Sequence, residues 1–140
     1  MEIYFFNEGS SYTIPEKVSI KKWIKDVIRF HNKIPGYINF IFVSKEEIWR
    51  MNLQYLNHDY YTDIITFDYG HEDEISGDMY ICPDIVHQNA EMLGKNREEE
   101  ILRVLVHGIL HLIGYDDKEE SEKESMRLKE DECLRYFKKP

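Results

Sequence analysis

The chain has 140 residues, the length of about one domain, and it is long enough to bury a hydrophobic core. Apolar residues make up 42% of it, which argues against wholesale disorder, and two cysteines are too few for a disulfide framework. The net charge of -9 argues mildly against a nucleic-acid partner, because phosphate binding depends on Lys and Arg. The N-terminus lacks a signal-peptide pattern and the longest apolar run is too short to cross a bilayer, so we expect a cytoplasmic protein.

The first half of the chain alternates between strand and helix patterns. In chain order the patterns predict a strand over 2–6, a helix over 19–31, a strand over 37–43 and a helix from 44 to 55. The last of these begins with SKEE, a capping box in which Ser44 caps the helix and Glu47 reaches back.

The second half begins with a predicted hairpin and ends with predicted helices. The predicted elements are strands over 62–69 and 78–82, a helix from Pro83 to near Gly94, a helix opened by a capping box of Asn96 and Glu99, and a final helix over 119–137. Strands and helices do not alternate strictly. The sequence therefore predicts one α+β domain over residues 1–140, a small mixed sheet covered by helices.

Much of the negative charge lies in one segment, residues 116–132, where nine carboxylates accompany four basic side chains. A charge-dense segment of this kind is usually the solvated face of a helix, and this is the interpretation we adopt for it.

The stretch HGILHLIGYDD, from His107 to Asp117, contains the candidate metal ligands. On a helix, His107 and His111 are four residues apart and so present two imidazoles to one point. Gly114 is placed to end the helix in a left-handed cap, after which Asp117 can return to the same point. Three protein ligands with a fourth position left to water are typical of catalytic zinc, so we predict one divalent ion, Zn2+, on this helix and the following turn.

Other interpretations of these residues remain open at the level of sequence. Two histidines on an apolar helix could pack in the core with their polar atoms satisfied. Asp116 could compete with Asp117 as the third ligand. The remaining histidines lack ligand spacing and are predicted to lie at the surface; they are His31, His58, His71 and His87.

The spacing resembles the zinc-protease signature H-E-x-x-H-x-x-G-x-x-H, with one difference. This chain has Gly108 where the protease has its glutamate base. Without that carboxylate, peptidase chemistry is disfavoured.

The same stretch is similar to the H-G-x-L-H-L-x-G-Y-D-H signature of the bacterial YbeY proteins, metal-dependent endoribonucleases of ribosomal RNA maturation. TDIITF and SGDMYIC also resemble two strand motifs of that family. The resemblance covers most of the chain. It implies hydrolysis of single-stranded RNA in rRNA maturation and ribosome quality control, with RNA and the small ribosomal subunit as partners.

Two positions depart from the family pattern. Asp117 stands where the third metal ligand is usually histidine, which lowers the charge of a divalent site from +2 to +1. This harder donor set also suits manganese, iron or nickel, so the identity of the metal stays open. Leu56 stands where the family commonly has an arginine implicated in catalysis.

The resemblance also suggests residues around the ion. Asp63, Thr66 and Asp78 match the two strand motifs, and they could orient metal ligands, line the cleft or simply form hydrogen bonds at strand ends. No general base is evident.

A basic stripe on the first helix offers a surface for RNA. The stripe lies away from the apolar face of that helix and consists of Lys21, Lys22, Lys25 and Arg29. The alternative is an ordinary solvated face.

The sequence thus predicts a metal-dependent endoribonuclease. Two alternatives are a non-catalytic ribosome assembly factor with a structural metal, which Leu56 favours, and a metal-dependent hydrolase of another substrate, which Gly108 disfavours. The sequence does not indicate an oligomeric state.

Overall fold

The structure is a computed structural model that describes residues 2–57 and 62–138. Within these residues the strands are β1 (Glu2–Glu8), β2 (Ile34–Val43), β3 (Ile64–Asp68) and β4 (Glu74–Ile81). The helices are α1 (Lys17–Phe30), α2 (Lys45–Leu56), α3 (Pro83–Met92), α4 (Arg97–Ile113) and α5 (Glu120–Lys138). Each predicted element is present, mostly with ends within three residues of those expected.

The strands form one mixed sheet in the order β1-β2-β4-β3. β1 and β4 both pair with β2 in parallel, whereas β3 and β4 form the predicted antiparallel hairpin. β4 begins at Glu74 instead of 78, because Glu74, Ile75 and Gly77 pair with β2 on one side and Gly77 pairs with β3 on the other. The α+β class with a small mixed sheet is confirmed.

Most of the core lies on one face of the sheet, beneath α1, α4 and α5. Its largest fully buried side chains include Phe40, Phe42, Ile24, Ile28, Met79 and Leu105. A smaller cluster lies on the other face, where Ile48 and Met51 of α2 pack against strand residues such as Ile41 and Ile65. No helix within 2–57 and 62–138 has the length and apolar character needed to cross a membrane.

Two glycines allow α4 to approach the sheet closely. A Cβ atom at Gly77 would lie 2.5 Å from the carbonyl oxygen of Phe67 and 3.1 Å from Leu112 Cδ1. A Cβ atom at Gly108 would lie 2.5 Å from Met79 Sδ. The helix that carries both histidines is therefore held against β4 at a distance that leaves no room for larger residues at these points.

Both predicted capping boxes form only in part. Ser44 Oγ accepts a hydrogen bond from the Glu47 amide, and Asn96 Oδ1 accepts one from the Glu99 amide. The carboxylates do not reach back: Glu47 binds Arg50, and Glu99 binds Lys138. The caps thus depend on the Ser and Asn side chains, since the glutamates find stronger charged partners.

Candidate metal centre

Three polar side chains converge where α4 ends. His107 and His111 lie on successive turns of α4, and their Nε2 atoms are 3.1 Å apart. Asp117 Oδ2 is 3.4 Å from each of these nitrogens. All three side chains are partly buried. The structure therefore brings together the three residues that the sequence motif proposed as ligands.

Gly114 makes this convergence possible. Its φ of +128° suits glycine, its amide donates to the His111 carbonyl, and the Tyr115 amide donates to the Leu110 carbonyl. This pair of bonds is a Schellman ending, which turns the chain sharply after the last helical residue. Asp117 comes three residues later, so the turn returns it to the face that carries the imidazoles.

The dimensions of the triangle fit a tetrahedral metal ion. Zinc binds imidazole nitrogen and carboxylate oxygen at about 2.0–2.1 Å, and the ligand atoms of such a tetrahedron are about 3.3 Å apart. The three observed separations, 3.1, 3.4 and 3.4 Å, match that edge length. Two nitrogens and one oxygen leave a fourth position, which is the pattern of a catalytic site.

Glu130 of α5 supports the first of these ligands. His107 Nδ1 lies 2.6 Å from Glu130 Oε2, and the Glu130 side chain is almost completely buried. Because the carboxylate accepts the proton on Nδ1, the imidazole keeps the tautomer whose Nε2 lone pair faces Asp117 and His111. Burial lowers the pKa of His107, but the hydrogen bond and charge of Glu130 outweigh it, so this pKa is raised.

Arg103 in turn supports Glu130. Its guanidinium contacts Glu130 Oε1 at 3.0 Å, Asp131 Oδ1 at 2.7 Å and Glu100 Oε1 at 3.5 Å. These charges lie mostly out of solvent, and each carboxylate of the group has a cationic or imidazole partner. A chain of polar contacts thus runs from the candidate metal ligands to the interface of α4 with α5.

Sequence reasoning missed Glu130 and Arg103. The prediction that residues 116–132 form a solvated face is wrong at Glu130, which is 6% exposed. The sequence does contain an indication of this burial, because Glu130 falls at helical spacing between Met126 and Cys133, which are both buried. Likewise Glu100 and Arg103 precede His107 at positions that share its face of α4.

A cleft of about 270 Å³ opens beside the candidate ligands. Its walls come from α4, α5, the turn between them and the residue before β3, and its lining includes Asp63, His107, Asp117, Lys123, Arg127 and Glu130. Burial raises the pKa of Asp63, and the charge of His107 partly offsets this effect. Asp63 thus lines the cleft, which is one of the three roles that the strand motifs suggested for it.

Thr66 and Asp78, the other two residues that match the strand motifs, lie on opposite faces of the sheet. Thr66 pairs with Met79, whose side chain meets α4, so Thr66 lies on the face of the sheet that α4 covers. Asp78 neighbours Met79 in the strand and therefore lies on the opposite face, where its Oδ1 accepts a 2.9 Å hydrogen bond from Asn39 Nδ2. Asp78 does not line the cleft beside the candidate metal ligands.

The basic stripe of α1 lies outside the cleft. Lys22 forms an ion pair with Asp26, and the Lys21 ammonium lies 5.9 Å from the ring centroids of Tyr4 and Phe5. Lys25 and Arg29 are on the same helix, with Arg29 exposed. Lys21 thus lies against β1, and none of the four residues lines the cleft beside the candidate metal ligands.

The remaining histidines have separate environments. His71 is exposed, as predicted, and His31 is partly buried with Nδ1 2.7 Å from the Val27 carbonyl. The surface prediction is wrong for the ring of His87, which packs against Tyr12 and has a buried Nε2. His58 lies outside the described residues.

Leu56 is the last residue of α2, and it is 45% exposed. Its side chain offers no positive charge and no hydrogen-bond donor. If this position faces substrate, its contribution is apolar.

The chain is similar to known proteins of one family. A family model described as Endoribonuclease YbeY matches residues 5–138. A protein of Flavobacterium psychrophilum named Endoribonuclease YbeY is 45% identical over 132 residues, covering 94% of each chain. One of the same name from Bacteroides thetaiotaomicron is 44% identical over 134 residues, covering 96% of this chain and 98% of the relative.

A solved structure is also similar to this chain. The solution structure of a Thermotoga maritima protein is 32% identical, with a TM-score of 0.71, and the match covers 97% of this chain and 89% of that one. The family match spans nearly the whole chain, including every element that builds the candidate metal centre. The chain belongs to the Endoribonuclease YbeY family.

Proposed function

We propose that the protein is a metal-dependent endoribonuclease that hydrolyses single-stranded RNA during rRNA maturation and ribosome quality control. The observation that carries this proposal is the triangle of His107, His111 and Asp117 beside an open cleft, in a chain whose relatives are named endoribonucleases. Family membership supports the reaction class, and the geometry of the three side chains supports this cleft as its site.

The proposed cofactor is one Zn2+ ion. The two nitrogens and one oxygen have the spacing of a tetrahedral site, although the same donors also accept manganese, iron or nickel. A divalent ion bound there supplies Lewis acidity, which stabilises negative charge on a phosphoryl oxygen.

The protein's own residues hold the ion and orient its ligands. His107, His111 and Asp117 hold the ion, and Glu130 fixes the orientation of His107. Asp63 places a partly buried carboxylate in the same cleft, close enough for the charge of His107 to affect its pKa. No general base is assigned.

The proposed setting is the cytoplasm, with the small ribosomal subunit as a partner that presents RNA. The basic stripe of Lys21, Lys22, Lys25 and Arg29 is a proposed secondary RNA contact at a distance from the cleft. Charge reversal at Lys21 and Lys25 should then weaken RNA binding and flatten its salt dependence.

A second candidate function is a non-catalytic ribosome assembly factor, which the uncharged side chain at Leu56 favours. A hydrolase of a non-RNA substrate has less support, because Gly108 removes the glutamate that a zinc protease would use.

A nuclease assay tests the proposal. Wild type carrying one equivalent of zinc should cleave a structured RNA within its single-stranded segments, whereas Asp117→Ala should not, and Asp116→Ala serves as the matched control. Loaded wild type that leaves the RNA intact would overturn the proposal. Co-sedimentation with small ribosomal subunits then separates the assembly factor from a hydrolase of another substrate.

A further inference from the structure

Two basic side chains of α5 share the cleft with the candidate metal ligands. Lys123 and Arg127 both line it, together with His107 and Asp117. They are four residues apart on one helix, so their side chains are neighbours on the same face. The cleft therefore combines a candidate metal centre with two cations that are well suited to bind phosphate.

The third cation of the cleft is not available to a ligand. Arg103 is engaged by Glu100, Glu130 and Asp131, and its side chain is only 18% exposed. Drawing it toward an RNA phosphate would leave Glu130 buried without its charged partner, which is costly.

Lys123 and Arg127 are in the opposite situation. Lys123 is 57% exposed, and its partner Glu120 is 3.6 Å away and 94% exposed, so this pair contributes little and can exchange. Arg127 is exposed and has no ion-pair partner among residues 2–57 and 62–138. Both side chains can reorient toward an anion at small cost.

Lys123 and Arg127 provide positive charge in a part of the molecule that is otherwise acidic. The chain has a net charge of -9, and the segment 116–132 that contains the pair has more than twice as many carboxylates as basic groups. Leu56 provides no cation, and the basic stripe of α1 lies outside the cleft. An RNA backbone that approaches the metal centre needs local positive charge, which α5 supplies at the cleft wall.

We propose that Lys123 and Arg127 bind phosphodiester groups of single-stranded RNA beside the metal centre. Arg127 can engage two phosphate oxygens through its planar guanidinium, and Lys123 acts as a point charge on the same or the adjacent phosphate. This inference rests on the proposed function, because it takes RNA as the substrate of the cleft.

The test measures RNA binding separately from cleavage. The probe is a fluorescent single-stranded oligonucleotide of 2′-O-methyl RNA, which lacks the free 2′-hydroxyl, and anisotropy is recorded at several salt concentrations. The proteins are zinc-loaded wild type, Arg127→Gln, Lys123→Gln and Arg135→Gln. Arg135 is a matched control, since it is exposed on the same helix but lines a separate groove between α1 and α5.

We expect Arg127→Gln to weaken binding about tenfold at low salt, the size expected for one lost charge-assisted hydrogen bond. The slope of log affinity against log salt should fall in magnitude by roughly 0.7 for each phosphate contact removed. Lys123→Gln should act in the same direction, and Arg135→Gln should match wild type.

The outcomes separate the two proposals. One outcome is that wild type cleaves RNA, while Arg127→Gln and Lys123→Gln bind the probe with the same salt slope as wild type. This outcome would overturn the phosphate subsite and leave the nuclease function standing. Wild type that binds the probe through Arg127 yet cleaves no RNA would support the subsite and overturn the nuclease. Equal losses for Arg135→Gln and Arg127→Gln would show a general charge effect and would also overturn the subsite.

Discussion

Glu130 and His107 come from different helices and meet at 2.6 Å, carboxylate oxygen to Nδ1. The contact joins α5 to α4 at the point where α4 presents Nε2 of the candidate ligand His107. Carboxylates in this position set the tautomer of a ligating histidine and increase its basicity. The geometry of the candidate centre therefore depends on a residue that follows the ligand motif by 13 positions.

Glu130→Gln should weaken zinc binding by about 10- to 100-fold, the usual effect of losing such a support. Gln keeps the size of the side chain but not its charge, so the fold should persist. Competition with a chromophoric chelator measures the affinity, and Glu132→Gln on the exposed side of the same helix is the control. Equal zinc affinity in wild type and Glu130→Gln would show that the contact does not support the ligand.

Asp117→Ala should abolish stoichiometric zinc binding, because two imidazoles alone leave the ion with an incomplete protein ligand set. Elemental analysis of proteins purified without chelator gives the metal content directly. Asp116→Ala is the matched control, since the structure brings the carboxylate of Asp117 to the histidines. A variant Asp116→Ala that loses the metal while Asp117→Ala keeps it would reverse the assignment.

Arg103→Met should reduce the free energy of unfolding by about 3 kcal/mol, since it leaves buried carboxylates without their cation. Urea unfolding of metal-free protein measures this. Arg97→Met is the control, because the ion pair of Arg97 with Glu91 is largely exposed and should contribute less than about 1 kcal/mol.

The same experiment can be extended to a double variant. Arg103→Met should cost less in the Glu130→Gln background, where one of the unpaired charges has been removed. Strictly additive losses would show that Arg103 and Glu130 are not coupled.

Gly77→Ala should destabilise the fold by about 1–3 kcal/mol, because the new methyl group would meet the Phe67 carbonyl oxygen at 2.5 Å. That oxygen belongs to the strand paired with β4 and cannot move freely. For a domain of this size the melting temperature should fall by roughly 3–10 °C.

Gly108→Ala provides a comparison. Its methyl group would meet the flexible thioether of Met79, and alanine favours a helix over glycine by about 1 kcal/mol, so the loss should be smaller. A melting temperature unchanged by Gly77→Ala would refute the close-approach explanation.

Stability should fall at alkaline pH partly because of Cys133. Burial raises the pKa of this thiol to about 11, above its ordinary value near 9. Between these two values the unfolded chain loses the thiol proton and the folded chain keeps it, so stability declines as pH rises. The contribution is about 1.4 kcal/mol per pH unit within that window.

Urea unfolding at pH 8 and pH 10, under reducing conditions, measures this dependence. Cys133→Ala should show a smaller alkaline loss than wild type, whatever its stability at pH 8. Equal losses in the two proteins would assign the effect to other groups.

Local patterns predicted the elements and the three candidate ligands, because helical spacing and glycine-ended turns are properties of short segments. Glu130 and Arg103 required knowledge of how α5 packs on α4, and no local pattern specifies that pairing. The position of Asp78 has a similar cause, since the face of a strand residue depends on the register with β2 and β3. The helical spacing of the polar positions 100, 103, 107 and 111, and of Glu130 between Met126 and Cys133, indicates which helix faces are involved but not that they meet.

The three candidate ligands lie in one continuous segment of eleven residues, from His107 to Asp117. An ion bound there closes only a short loop, so it removes little conformational entropy from the unfolded chain. The core beneath α1, α4 and α5 assembles from other contacts, and so does the hydrogen bond that holds His107. We therefore expect the polypeptide to fold without the ion, and the metal to bind to a site that the fold has already formed.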